Sequence, residues 1–272
     1  MLYVAFLARE GLKHQTIKCY LSAIRHLQIS ASMPDPFHNA NFPYLEYVLK
    51  GIKKTQAMAG PQQDPRLPIT PAILRQLQQH WSPTAAGYDA KMLWAACCLG
   101  YFAFLRSGEF TTTTDNQSDL SACLTPGDIA VDSHSFPKIM RVRIKQSKTD
   151  PFRAGVDIFL GRTNSDLCPI VAVLSYLALR GNGPGPLFRF NDGKPLTRQR
   201  LVAQVRLALQ ARGIDNSRYS GHSFRIGAAT SAAAAGVEDS TIQMLGRWQS
   251  SAFLRYIRTP RDQLAALTSR LC

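Results

Sequence analysis

The sequence predicts a mainly α-helical protein with one small antiparallel β-sheet (an α+β chain), divided into two domains. Three observations carry that prediction. Apolar residues recur at helical spacing through the first sixty positions and again from Pro169 onward. Between those regions, 139–145 and 156–160 alternate apolar and polar positions with the two-residue period of half-buried strands. Residues 59–71 hold four prolines and little apolar material, which reads as an interdomain linker.

Each element follows in order. Tyr3, Phe6 and Leu7 form a first apolar stripe, closed by Gly11. Ile17, Leu21, Ile24 and Leu27 form a second, with Lys18 and Arg25 off the stripe. A break at Met33-Pro34-Asp35-Pro36 precedes a third amphipathic stretch, 44–54. Beyond the linker, 71–79 reads as a short helix and 90–105 as a helix apolar on all sides, hence central to a core. Strands are expected over 127–131, 139–145 and 156–160, with Lys148 in the turn that joins the last two. Helices then follow over 170–179, 198–211, 222–235, 240–245 and 250–257. Gly236 and Gly246 stand where C-terminal caps are expected. The predicted domains are a helical unit over 1–58, a linker over 59–71 and a larger unit over 72–272.

The chain carries 32 Lys+Arg against 18 Asp+Glu, a formal charge of +14. From Arg180 to the end there are fourteen basic residues against five acids, and thirteen of the fourteen are arginine. The planar guanidinium fork matches phosphate better than a point charge does, so the surface suits a long polyanion such as nucleic acid. A basic surface kept only for solubility is the plainer alternative.

Several classes are set aside. The longest apolar run, 92–105, spans fourteen residues and includes Gly100, short of the roughly 18 a membrane helix needs. The first residues lack a signal-peptide pattern, and the six cysteines show no CxxC pair, so the chain reads as soluble and intracellular. Cys97 and Cys98 point to different sides of one helix and read as core. The histidines are scattered and no acidic cluster appears, so neither a zinc site nor a two-metal nuclease is expected. No metal and no cofactor are predicted. The stretch 181–186 alternates glycine with proline and reads as a loop, not a phosphate cradle.

The dense signal lies between Ser220 and Thr259. His222 and Arg225, three apart at a helix start, project from one face, where the helix N-terminus adds partial positive charge. Such a pair is unfavourable unless an anion sits between them; taken alone it is more often a surface feature. Upstream, Arg106 follows directly on the apolar helix, with Glu109 placed three residues on to orient it. Lys148 at a hairpin tip is ordinarily just solvated, and a lone tyrosine such as Tyr256 on an amphipathic helix is ordinarily a core-edge residue.

Together, Arg106 with Glu109, then Lys148, His222-x-x-Arg225, Trp248 and Tyr256 resemble the active-site series of the tyrosine recombinase/integrase family. The stretch YSGHSFRIGAAT…LGRWQSSAFLRYIRT looks most like the recombinases of eukaryotic mobile elements of the crypton and DIRS type. YVAFLAREGLKHQTIKCYLSAIRHLQ is similar to the family's helical core-binding domain, short of it by one N-terminal helix. The family's His/Trp position usually lies nine residues before the tyrosine. Arg247 holds that count and Trp248 lies eight before; Trp248 is taken here with a one-residue deletion, which leaves the role of Arg247 open.

The resemblance implies DNA breaking and rejoining without metal, for site-specific recombination or integration of a mobile element. Tyr256 would attack a backbone phosphorus to give a 3′-phosphotyrosyl bond. Arg106 and Arg225 would bracket the non-bridging oxygens, Lys148 would protonate the leaving 5′-oxygen, and His222 would assist the tyrosine proton. Trp248 would pack against the phosphate site. Lys18, Arg25, Lys145, Arg247 and Arg258 are expected DNA contacts, with the basic helices of both domains closing on the duplex. A homo-tetramer on paired DNA sites, joined through a C-terminal helix carrying Leu264, Leu267 and Leu271, is expected, as is a nuclear location if the source is a eukaryotic element. A type IB topoisomerase-like relaxing enzyme and a domesticated DNA-binding protein without strand transfer are the alternatives.

Overall fold

The computed structural model describes residues 2–38, 43–60, 66–81, 87–114, 123–147, 150, 152–259 and 265. The chain divides into two compact units, Met1–Asp64 and Pro65–Cys272.

The first unit holds three helices: α1 (Leu2–Arg9), α2 (His14–Ser30) and α3 (Leu45–Met58). Gly11, with φ of +78°, makes the left-handed turn between α1 and α2 that a side chain would strain. Val4, Leu7, Ile17 and Leu21 form the buried core, flanked by Phe37, Val48 and Ile52. The expected α1 stripe is therefore shifted: Val4 is buried, while Tyr3 and Phe6 are about half exposed. Leu27, expected on the buried face of α2, is likewise exposed, because the core ends one turn earlier. Gln56 near the end of α3 ties the unit together. Its amide donates to the Leu12 carbonyl and its oxygen accepts the His14 N–H, both at 2.8 Å, satisfying a donor the first turn of α2 leaves open.

The second unit is built around α5 (Tyr88–Phe102), which is buried from Met92 to Tyr101 except at the partly buried Trp94, and packs against α4 (Pro71–Trp81), α7 (Pro169–Arg180) and α9 (Ser223–Ala234). Cys97 and Cys98 lie in this core, as the sequence predicts. α6 (Ser107–Phe110) follows α5 after a reversal, and α8 (Arg198–Ala211) and α10 (Asp239–Gly246) complete the helices. The sheet has strands β1 (Ile129–Val131), β2 (Ile139–Ile144) and β3 (Val156–Gly161) in the order β1-β2-β3, all antiparallel. Met140, Val142 and Ile144 face the core, and Arg141 and Arg143 face outward near Asp157. This is the alternation that the sequence displays.

Four expectations change. The predicted strand 127–131 begins as a 3-10 turn, Pro126–Asp128, because Asp128 accepts from the Thr125 N–H and hydroxyl and holds the chain in a turn. The helix predicted over 250–257 is a single 3-10 turn, Ser251–Arg255. The helix predicted over 90–105 stops at Phe102. The linker predicted over 59–71 is packed structure from Arg66 on: Leu67 N–H donates to the Arg218 carbonyl and Ile69 N–H to that of Ser223, and Ile69 is fully buried. Gly227 on α9 makes this possible, since a Cβ there would run into the Ile69 backbone.

No helix among the described residues is long and apolar enough to cross a membrane.

Candidate active site

The site is assembled where two left-handed turns face each other. After α5 the chain reverses through Phe104, with φ of +51°. That reversal aims the Ala103 and Phe104 carbonyls inward and places Arg106 at the entry to α6. Arg106 and Glu109 form the pair that their spacing predicts. The Arg106 N–H donates to Glu109 Oε2 and its Nη1 to Oε1, both at 2.9 Å. Glu109 is 5% exposed, so this carboxylate works in a dry environment.

The second turn ends α10. Its cap is Arg247, with φ of +55° and ψ of 45°, and not the expected Gly246. Gly246 is glycine for another reason: the Trp248 ring lies where its Cβ would be. Gln243 fixes Trp248 by accepting its N–H and donating to its carbonyl, both at 3.0 Å. The Trp248 ring packs against Phe104, Phe253 and Tyr256, with 5.0 Å between its centroid and that of Tyr256.

Arg225 rises from the first turn of α9 into this assembly and is fully buried. Its Nη1 donates to the Phe104 carbonyl at 2.7 Å and its Nη2 to the Gly246 carbonyl. Its guanidinium lies 4.1 Å from the Trp248 ring centre and 5.7 Å from that of Tyr256. Burial first, then the neighbouring Arg106, lowers its pKa to about 9, leaving it charged at neutral pH. His222 caps α9 at the partly exposed edge. Burial and then the positive charges of Arg66, Arg198, Arg225 and Arg106 hold its pKa below the usual range, so the imidazole is neutral near pH 7. Arg66 and Arg198 escaped the sequence reading: one stands in the proline-rich stretch and the other at an ordinary helix start. Tyr256 ends the 3-10 turn, and its carbonyl accepts from the buried Thr230 hydroxyl of α9 at 3.1 Å.

The structure thus brings Arg106, Glu109, Arg225, Trp248 and Tyr256 together, with His222 beside their arginines. Lys148 lies outside the described residues. The hairpin that would carry it borders a cavity of about 360 Å³, lined by Ser147, Asp150, Gly155, Arg247 and Trp248. Of the expected DNA contacts, Lys18 is exposed on α2. Arg25 pairs with Asp35 at 2.6 Å, and Lys145 with Asp128 at 2.9 Å. Arg258 is partly buried, its N–H donating to Thr230. Arg247 lines that cavity and also reaches inward. Its Nη2 donates to Glu109 Oε2 at 2.8 Å and its Nη1 to the Ala103 carbonyl at 3.1 Å. Among the described residues, no cluster of His, Cys, Asp or Glu could hold a metal ion.

No family model and no curated protein matches the chain. Solved structures do. The XerH site-specific recombinase bound to difH substrate aligns at a TM-score of 0.52 and 17% identity, over 74% of this chain and 53% of that one. The chain thus spans about half the length of the XerH structures. The Tn1549 transposon integrase with circular intermediate DNA aligns at 0.53 and 14% identity, over 98% and 82%. The lambda integrase dimer on a COC′ core site aligns at 0.51 and 16%, over 94% and 75%. This chain has the fold of these tyrosine recombinase and integrase structures.

Proposed function

We propose that the chain cleaves and rejoins duplex DNA through a 3′-phosphotyrosyl intermediate on Tyr256, in site-specific recombination or integration of a mobile element. One observation carries this reading. Arg225 Nε and Trp248 Nε1, packed against the Tyr256 ring, are buried donors without an acceptor. An unsatisfied buried donor costs roughly 1–3 kcal/mol. Two of them beside a second cation, Arg106, suit a group that brings several acceptor oxygens and negative charge. A phosphodiester is such a group, and the XerH, Tn1549 and lambda integrase structures of this fold hold DNA.

In the proposed reaction the Tyr256 oxygen attacks phosphorus and the bond to the 5′-oxygen breaks. Arg106 and Arg225 stabilise charge on the non-bridging oxygens as it builds. Neutral His222 accepts the phenolic proton or bonds a non-bridging oxygen, and Lys148 protonates the departing 5′-oxygen. Each transfer replaces one phosphoester by another, so strand energy is kept and the 5′-hydroxyl reverses the step. Four protomers would act on two DNA sites, linked head to tail through the C-terminal segment.

The test is covalent trapping on a nicked suicide duplex. Wild-type protein should accumulate an adduct that Tyr256→Phe abolishes while still binding duplex. Duplex binding without any wild-type adduct would leave a DNA-binding protein that has lost strand transfer. Relaxation of supercoiled plasmid without strand exchange would favour a topoisomerase-like role.

A further inference from the structure

We propose that Arg247 is a positioning residue, acting through Glu109 to hold Arg106 ready for an anion. The inference rests on the reaction proposed above. Its starting point is a cost: Arg247 adopts a left-handed conformation that glycine takes readily and arginine does not, and the glycine stands one place earlier. A non-glycine residue kept in that conformation, with its side chain 15% exposed, is held there by what its guanidinium does.

That guanidinium works on the inner side through its two Nη groups. It reaches the Ala103 and Phe104 carbonyls at the mouth of the α5–α6 reversal and Glu109 Oε2 at 2.8 Å. Glu109 is thereby divided. Oε1 takes Arg106 Nη1, while Oε2 takes the Arg106 N–H and Arg247 Nη2. A carboxylate facing one arginine favours the bidentate fork, in which two parallel N–H groups turn toward it. Occupation of Oε2 by Arg247 denies Arg106 that fork. One Arg106 Nη meets Glu109, and the remaining donors are left for another acceptor. The division has an electrostatic side as well. Two guanidiniums share a single carboxylate, so Arg106 is oriented by Glu109 without being neutralised by it. Arg247 also braces the reversal whose Phe104 carbonyl holds Arg225, and so touches both arginines through groups that are not the substrate.

The experiment compares Arg247→Gly, Arg247→Lys, Glu109→Gln and the Arg247→Gly/Glu109→Gln double variant in the full chain. Glycine relaxes the backbone while Arg106 stays on Glu109, which offsets part of the lost bonds, so the single variant should still fold cooperatively, as its melting curve will show. Duplex Kd should stay within threefold, while the single-turnover rate of adduct formation falls 10- to 100-fold. Lysine, lacking the fork, should not restore the rate. Ethylguanidinium at millimolar concentration should restore part of it in Arg247→Gly and none in the double variant. The Arg106 Nε–H resonance, assigned with Arg106→Lys, should shift in Arg247→Gly. An Arg247→Gly protein that cleaves at the wild-type rate, or an Arg106 resonance that stays in place, would overturn the inference. If wild-type protein forms no adduct, the proposed reaction fails, and the Arg106 resonance still decides whether Arg247 positions it.

Discussion

The guanidinium of Arg225 lies 4.1 Å from the centre of the Trp248 ring, fully buried, and donates to the carbonyls of Phe104 and Gly246. Among the described residues it makes no ion pair. A buried charge that bonds only carbonyls and meets its nearest carboxylate, Glu109, at a distance is incompletely compensated, and a buried charge left alone destabilises a fold by several kcal/mol. On the proposed reaction, a phosphate in the space beside it would supply the missing negative charge. Trp248 supplies the wall on which both Arg225 and Tyr256 rest, so its placement sets the geometry of the pair.

Gly246 tests that placement. Gly246→Ala puts a methyl where the Trp248 ring lies, forcing the indole off Arg225 and Tyr256. Overpacking of this kind costs about 1–3 kcal/mol. Adduct formation should drop far more than stability does, and thermal unfolding beside single-turnover trapping measures both. An alanine variant with wild-type cleavage would remove Trp248 from the site.

Gly227→Ala should act on stability first. The new Cβ meets the Ile69 backbone, which cannot swing aside as a flexible side chain would. A loss of about 2 kcal/mol is expected, which for a unit of this size lowers Tm by roughly 4–8 °C. An unchanged Tm would mean that residues 66–70 are not anchored on α9.

His222 gives a pH dependence with a definite sign. Burial and the charges of Arg66, Arg198, Arg225 and Arg106 depress its folded-state pKa. The unfolded chain, with an ordinary value of about 6.5, then binds more protons than the folded chain below neutrality. Stability should therefore be highest above that value and fall as pH drops from it through the lower folded pKa. His222→Gln should flatten the fall. Urea titrations of both proteins between pH 5 and 8 measure it, and parallel curves would show that His222 is not so held.

Binding should depend steeply on salt. Each phosphate neutralised adds roughly 0.9 to the slope of log affinity against log salt. A contact with about eight phosphates would lose a few powers of ten in affinity between low and moderate salt. A slope near zero would redirect the basic surface to some other partner.

The C-terminal segment addresses assembly. Leu264, Leu267 and Leu271 fall at helical spacing in the sequence, outside the described residues. Deletion of 262–272 should preserve duplex binding and abolish tetramer formation and strand exchange. Complex size on DNA and recombination yield are the measurements. A truncated protein that assembles and recombines at the full rate would assign the segment to its own domain.

Much of this architecture is legible in the sequence because it rests on periodicity. α2, α7 and α8 follow apolar spacing, α5 is apolar throughout, and β2 and β3 follow alternation. The Arg106–Glu109 pair is legible because both partners sit within one turn. What escaped reading depends on contacts between distant segments. Ile69 looks like one apolar residue among prolines, and only the missing side chain of Gly227, far along the chain, makes room for it. Arg247 reads as a DNA contact of open role because nothing local signals that it takes a left-handed turn and reaches back to Glu109. The 3-10 turn before Tyr256 has helical spacing, but the Thr230 hydroxyl captures the Tyr256 carbonyl and stops further winding.

The sharing of Glu109 bears on the lifetime of a protein–DNA bond. Water can destroy a phosphotyrosyl ester if a nearby carboxylate takes its proton, leaving a broken strand. Here both oxygens of Glu109 are tied to Arg106 and Arg247 in a pocket that admits almost no solvent. A carboxylate so occupied makes a poor base. On the proposed reaction, the covalent joint would wait for a returning 5′-hydroxyl instead of yielding to hydrolysis, and the genome would be spared a permanent nick.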